Sequence, residues 1–186
     1  MSSRFIESDL KGAFLIEGEF FFDARGKFYK MFEKETYAKG GVDFNLHESF
    51  VSVSCKNVIR GIHFQIHGPQ KKIITVISGR AWDVIVDLRP QSPTFLEWKG
   101  YELGGERPLS VYIPEGFGHG FASLEDNTVM LYQCDGAYDK GSDTGIVYDD
   151  PKLNIDWKVE KDEAIISSRD LHLLTISEYL KNPIRV

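Results

Sequence analysis

Turn-forming residues recur along this chain about every eight to twelve positions, and no other feature constrains its fold as much. Ser78-Gly79, Arg89-Pro90, Gly104-Gly105, Pro114-Glu115-Gly116, Asp126-Asn127 and Asp135-Gly136 mark the rhythm. The gaps between them are too short for long helices and are rich in Val, Ile, Phe, Tyr and Trp, residues that suit a pleated, half-buried surface. Predicted strands are Phe50–Ser54, Ile59–Gln65, Lys72–Ile77, Trp82–Leu88, Phe95–Tyr101, Leu109–Ile113 and Val129–Cys134. In the clearest of them Trp82, Val84, Val86 and Leu88 share one face. Helical pattern is confined to a stretch near Phe32–Ala38 and a C-terminal one over about 171–181. Many short strands with such connections read as an all-β sandwich or barrel with short flanking helices, and residues 1–186 as a single domain.

Composition narrows the partners. With 22 basic against 28 acidic residues the chain carries a net charge of −6, which argues against nucleic acid and anionic membranes. No apolar run approaches the roughly 20 residues of a membrane span. The opening residues Met1–Glu7 lack an apolar core followed by a small-residue cleavage site, so no signal peptide is expected. Cys55 and Cys134 do not make a disulfide framework, and the expected setting is the reduced cytoplasm.

Two local motifs carry potential chemistry: Arg60-Gly61-Ile62-His63-Phe64-Gln65, and Ile113-Pro114-Glu115-Gly116-Phe117-Gly118-His119-Gly120-Phe121. Strand parity puts His63 and Gln65 on one face, Lys72, Ile74 and Val76 on another, and Met130, Tyr132 and Cys134 on a third. If these faces point inward, one barrel mouth collects a His, a Lys and a Tyr. Arg60 has the opposite parity from His63 and joins them only if Gly61 marks a bulge. His63, His67 and His119 invite a metal reading, and Pro-X-Gly-X-X-His is the second motif of cupin barrels. The first motif of metal cupins, His-X-His followed by Glu, is absent, so no metal is expected.

A His, a Tyr and a Lys without metal suit proton abstraction beside a carbonyl. A His takes the proton from one face, a Tyr hydroxyl returns one to the other, and a Lys steadies the enolate oxygen. A carboxylate behind the His would fix its tautomer. Taken singly, the same residues have plainer readings. His119 passes as a core histidine satisfied by a backbone carbonyl, and Asp170 as a surface carboxylate or helix cap. Tyr132 passes as a half-buried barrel tyrosine, Lys72 beside Lys71 as a solvated pair and Tyr138 as a loop aromatic. Arg60 and Arg25 could pair with surface carboxylates such as Asp23.

From about Leu15 to Asp170 the chain resembles the dTDP-4-dehydrorhamnose 3,5-epimerase family. The likeness runs in order through Asp23-Ala24-Arg25-Gly26, Val58–Gln65, Asp83–Arg89 with Ser92-Pro93-Thr94, and Ile113–Phe121. It continues through Leu131-Tyr132, Gly145–Asp150, Ile155-Asp156-Trp157 and Ser168-Arg169-Asp170. The resemblance implies a cupin, or jelly-roll, β-barrel that epimerises a nucleotide-diphospho-4-keto-6-deoxyhexose without a cofactor. It implies His63 as base, Asp170 as its orienting carboxylate, Tyr132 as opposing acid and Lys72 as the enolate-stabilising cation. Arg60 and His119 would hold the sugar and its phosphate side, with Gln65 among the substrate contacts. Tyr138 would stack on the nucleotide base, with Asp143 and Arg169 nearby. Arg25 and Phe28 match a segment that reaches into a neighbouring subunit's site, so residues of about 1–45 are expected to contribute to a homodimer.

Three positions depart from the family pattern. Lys30 stands where Glu is common, and Glu48-Ser49-Phe50 replaces Gln-X-Asn near the sugar. These changes leave the proton-transfer set intact and bear on the base and the sugar. Inversion of a single carbon and 3,4-ketoisomerisation use the same enolate and remain open, as does a non-catalytic nucleotide-sugar-binding barrel.

Overall fold

Period-two alternation buries one face of a strand, and a chain built from such strands must close them face to face. A computed structural model of the chain describes residues 3–106 and 109–185, so Met1 and Ser2 of the opening stretch lie outside the described residues. The first sheet runs β1 (Arg4–Glu7), β2 (Phe14–Glu17), β10 (Leu109–Ile113), β7 (Lys72–Ser78), β12 (Thr128–Cys134) and β5 (Glu48–Ser54). The second runs β13 (Asp143–Gly145), β6 (Val58–Gln65), β11 (Phe117–Ser123), β8 (Arg80–Asp87) and β9 (Trp98–Gly104), with β14 (Ile165–Ile166) also pairing with β6. A separate hairpin joins β3 (Glu19–Asp23) to β4 (Gly26–Lys30). The result is the expected all-β jelly-roll barrel.

Its interior is a cluster fed by both sheets: Ile74, Val76, Val111, Ile113 and Met130 from one, Ala81, Ile85, Leu103, Phe117 and Phe121 from the other. Each outer face is covered as well. Tyr37, Val42 and Phe44, on and after the short helix α1 (Lys34–Lys39), pack on Ile16, Ile73 and Tyr112 of the first sheet. The chain from Ile146 to Ile184 packs on Ile62, Phe64, Val84, Val86 and Leu88 of the second. The face Trp82–Val84–Val86–Leu88 is therefore the outer one, and Asp83, Ile85 and Asp87 point to the interior. Burial of each apolar side chain in these clusters contributes about 1.5–3 kcal/mol.

Three expectations need correction. The strand placed at Phe95 begins only at Trp98, because Phe95 closes a turn on Ser92 and Leu96 has a positive φ of 64°. Phe117–Ser123, absent from the predicted strands, is a buried strand. Its outward residues Gly118 and Gly120 leave room for Ile62 and Trp157, which a Cβ there would meet at 2.3 and 3.0 Å. The C-terminal helix over about 171–181 is not continuous. A single 3₁₀ turn, Asp170–His172, gives way to extended backbone where Leu174 bridges to Ile146, and Thr175 then caps α2 (Ile176–Tyr179) through a reciprocal bond with Glu178.

Candidate active site

The barrel opens at one end into a cavity of about 270 Å³. Two strand pairings decide what faces it. On the second sheet His63 of β6 lies directly opposite His119 of β11, and Arg60 opposite Phe121. Between these pairs two residues of β6, Gly61 and Ile62, face one of β11, Gly120, which is the bulge at Gly61 that parity required. It turns Arg60 and His63 to the same side, and both line the cavity. Gly61 accommodates the close approach: its φ is +111°, and an added Cβ would meet the Gly120 Cα at 2.5 Å.

On the first sheet, rows of cross-strand partners run through β5, β12 and β7. Glu48, Cys134 and Lys72 form one row, and Phe50, Tyr132 and Ile74 the next. Glu48, Phe50, Ser52, Lys72 and Tyr132 line the cavity opposite the histidines. The ring centroids of His119 and Tyr132 are 6.0 Å apart across it. A candidate base and a candidate acid therefore stand on opposing sheets.

His63 Nε2 is 2.8 Å from Asp170 Oδ1, and the other carboxyl oxygen accepts the Gly61 N–H at 3.1 Å. Burial pushes the Asp170 carboxyl up, but the hydrogen bond and charge of His63 and the N–H of Gly61 outweigh it and hold it below the usual carboxylate range. An ionised Asp170 fixes the proton on Nε2 and leaves Nδ1 as the basic nitrogen. Asp170 is thus not a helix cap: the residue before the 3₁₀ turn is Arg169, and it makes no side-chain cap bond.

His119 is paired in the same way. Its Nε2 lies 2.7 Å from Asp83 Oδ2, with both side chains almost fully buried. The expected backbone carbonyl partner is replaced by a carboxylate. Asp83 Oδ1 is buried without a hydrogen-bond partner among the described residues. Asp83 was not among the candidate residues, although a carboxylate at the inward parity of a central strand is the signal that finds it.

Burial pulls the Lys72 ammonium below its usual range, against opposing pulls from Cys134, Asp143 and Glu48. Burial pushes the Tyr132 phenol well above its usual range, so it holds its proton at neutral pH. Tyr132 is stacked on Phe50, centroids 4.7 Å apart and planes 12° from parallel. At the cavity rim Asp143 accepts bonds from the Tyr138 hydroxyl at 3.0 Å and from Arg169 at 2.8 Å. Gln65 lines the cavity too, and within the chain both its N–H donors go to the carbonyls of Gly68 and Ala137 while its oxygen takes the Asp139 N–H. It holds the loop that carries Tyr138.

Arg25, Phe28 and Lys30 do not line this cavity within one chain. They lie on the β3–β4 hairpin, where Arg25 pairs with Asp23 and Lys30 stands 3.8 Å from Glu19. His67 engages Ser142 through its backbone only. Among the described residues no three His, Cys, Asp or Glu side chains gather in metal-ligating geometry, and no helix is long and apolar enough to cross a membrane.

Known proteins resemble the chain in both sequence and fold. The family model described as dTDP-4-dehydrorhamnose 3,5-epimerase matches residues 7–178. A dTDP-4-dehydrorhamnose 3,5-epimerase of Methanothermobacter thermautotrophicus is 40% identical over 97% of both chains. A dTDP-4-dehydrorhamnose 3-epimerase of Streptomyces niveus is 36% identical over 91% of this chain and 82% of the relative. The crystal structure of a dTDP-6-deoxy-D-glucose-3,5-epimerase from Legionella pneumophila, in complex with dTDP-4-keto-L-rhamnose, superposes with a TM-score of 0.93. It is 32% identical and covers 99% of this chain and 98% of that one. The chain belongs to the dTDP-4-dehydrorhamnose 3,5-epimerase family.

Proposed function

We propose that the protein epimerises a dTDP-linked 4-keto-6-deoxyhexose by proton transfer beside the C4 ketone. The observation that carries this reading is the placing of His63 and Tyr132 on opposing sheets of one cavity, with Lys72 on the wall beside Tyr132. His63 Nδ1 takes the proton from the carbon next to the ketone, and the C–H electron pair moves into the enolate. Lys72 stabilises the oxyanion in a water-poor cavity. The Tyr132 hydroxyl then gives its proton to the same carbon from the opposite face, and the carbonyl re-forms with the centre inverted. The imidazolium and the phenolate return to their starting states by exchange with water. Asp170 holds the His63 tautomer throughout.

Arg60 and His119 fit the sugar and its phosphate side, with Asp83 holding His119 in place. Arg169, a planar fork suited to two phosphate oxygens, and Tyr138 fit the diphosphate and base ends at the rim. The hairpin supports a homodimer. Phe21, Phe22 and Phe28 are 53, 74 and 60% exposed on a two-stranded ribbon outside both sheets, and such a ribbon gains little stability alone. In a dimer, Arg25 and Phe28 of one chain complete the other's cavity.

Proton NMR in deuterated water with dTDP-4-keto-6-deoxyglucose tests the activity. Deuterium at both C3 and C5 with inversion is the expected result, and absence of exchange at both carbons overturns it. The 3-epimerase of Streptomyces niveus supports a second reading, inversion of one carbon, which deuterium at C3 alone would establish.

A further inference from the structure

The hydroxyl of Tyr132 is weakly held. Among the described residues its hydrogen-bond partner is the Ser52 hydroxyl, which donates at 3.5 Å, beyond the usual range of O–H···O bonds. The ring, by contrast, is firmly placed. Phe50 sits directly across from Tyr132 in the β5–β12 register and lies against it nearly face to face. The edge of His119 bounds it from the facing sheet. Of the aromatic ring pairs among the described residues this is the one close to parallel, the others being tilted by 44° or more. Phe50 is also 49% exposed, so it is not there to fill the core.

We propose that Phe50 is a positioning residue for proton return: by stacking on Tyr132 it aims the phenol at the enolate carbon, a task the long Ser52 bond does not perform. This rests on the reading of Tyr132 as the acid. Proton transfer demands near-contact geometry, and a small displacement of the donor lowers its rate steeply. An enolate that waits for its proton is re-protonated by His63 on the face it came from, and the carbon exchanges with solvent without inverting. The ratio of inversion to exchange therefore reads the quality of the stack. It is independent of how much of a variant is folded, because both events are counted on the same active molecules.

The test is the deuterium experiment above on the parent protein and on Phe50→Asn, Phe50→Leu, Phe50→Tyr and Tyr132→Phe, counting inverted and deuterated product at each carbon. The expected result is a fall of about tenfold or more in inversion per exchange for Phe50→Asn and Phe50→Leu, with Phe50→Tyr close to the parent. Phe50→Leu carries the test alone if Phe50→Asn fails to fold. A smaller fall in the Asn and Leu variants, or a Tyr variant as impaired as they are, overturns the role of Phe50. If Tyr132→Phe keeps the parent ratio, or the parent exchanges no proton, the acid assignment falls and this proposal with it. Loss of inversion in Tyr132→Phe beside unaffected Phe50 variants overturns the proposal alone.

Discussion

A lysine steadies an enolate only while it keeps its proton, and at half-buried Lys72 desolvation works against that. Because Lys72 loses its proton at a pH below the usual lysine range, kcat is expected to decline on the alkaline side earlier than an exposed lysine would dictate. Tyr132, pushed up by burial, does not contribute to that decline. Lys72→Arg should move the decline to higher pH in a kcat profile, since guanidinium stays charged; an unmoved profile would remove Lys72 from its role. His63→Ala should abolish turnover and leave nucleotide-sugar binding by calorimetry largely intact. Asp170 has the opposite linkage to a raised group. Its folded pKa is depressed, so its contribution to stability is complete above the unfolded value of about 3.9 and is lost as pH falls through the folded one. Urea unfolding of Asp170→Asn should show a deficit at neutral pH that closes in strong acid. Asp83→Ala, which strands a buried imidazole N–H, should cost about 1–3 kcal/mol in the same assay.

At the level of the element, the bulge in β6 is the device that joins Arg60 to His63. Gly61→Ala meets both a positive φ and the backbone of β11, and should cost at least about 2 kcal/mol together with most of the activity. Gly68, with a φ of +59° and open space around it, is the control: its alanine variant should lose about 1 kcal/mol and keep turnover. Both are read by thermal unfolding beside an activity assay. The same element shows how much was legible in the sequence. Strand parity identified the inward faces of β6, β7 and β12 and named the condition on which Arg60 joins them, but it could not show that the bulge forms. β11 escaped because glycine disfavours strands, and its two outward glycines make sense only once Ile62 and Trp157 are seen against them. Asp83 escaped because the apolar face of β8 is the outer one, covered by the C-terminal segment, so the inward face is the one that carries carboxylates. The break after His172 escaped because the Leu-rich run Leu171–Leu180 suits a helix until the pairing of Leu174 with Ile146 competes for its backbone.

Over the whole molecule, the proposed homodimer rests on the exposed aromatic hairpin. Phe22→Asp should shift sedimentation from dimer toward monomer and weaken substrate binding, whereas a monomeric parent would refute the shared site. The dyad has its own dependence on the assembled chain. His63 lies in a central strand and Asp170 in the segment that wraps the outside of the second sheet, 107 positions later. If the wrap loosens ahead of the barrel, the imidazole loses its carboxylate and Arg169 leaves the cavity wall with it. Catalysis therefore reports on the wrap as well as on the barrel beneath it. On gentle warming, or under a protease that nicks the outer segment, the enzyme should fall silent while its sheets persist, and on refolding its activity should be the last property to return.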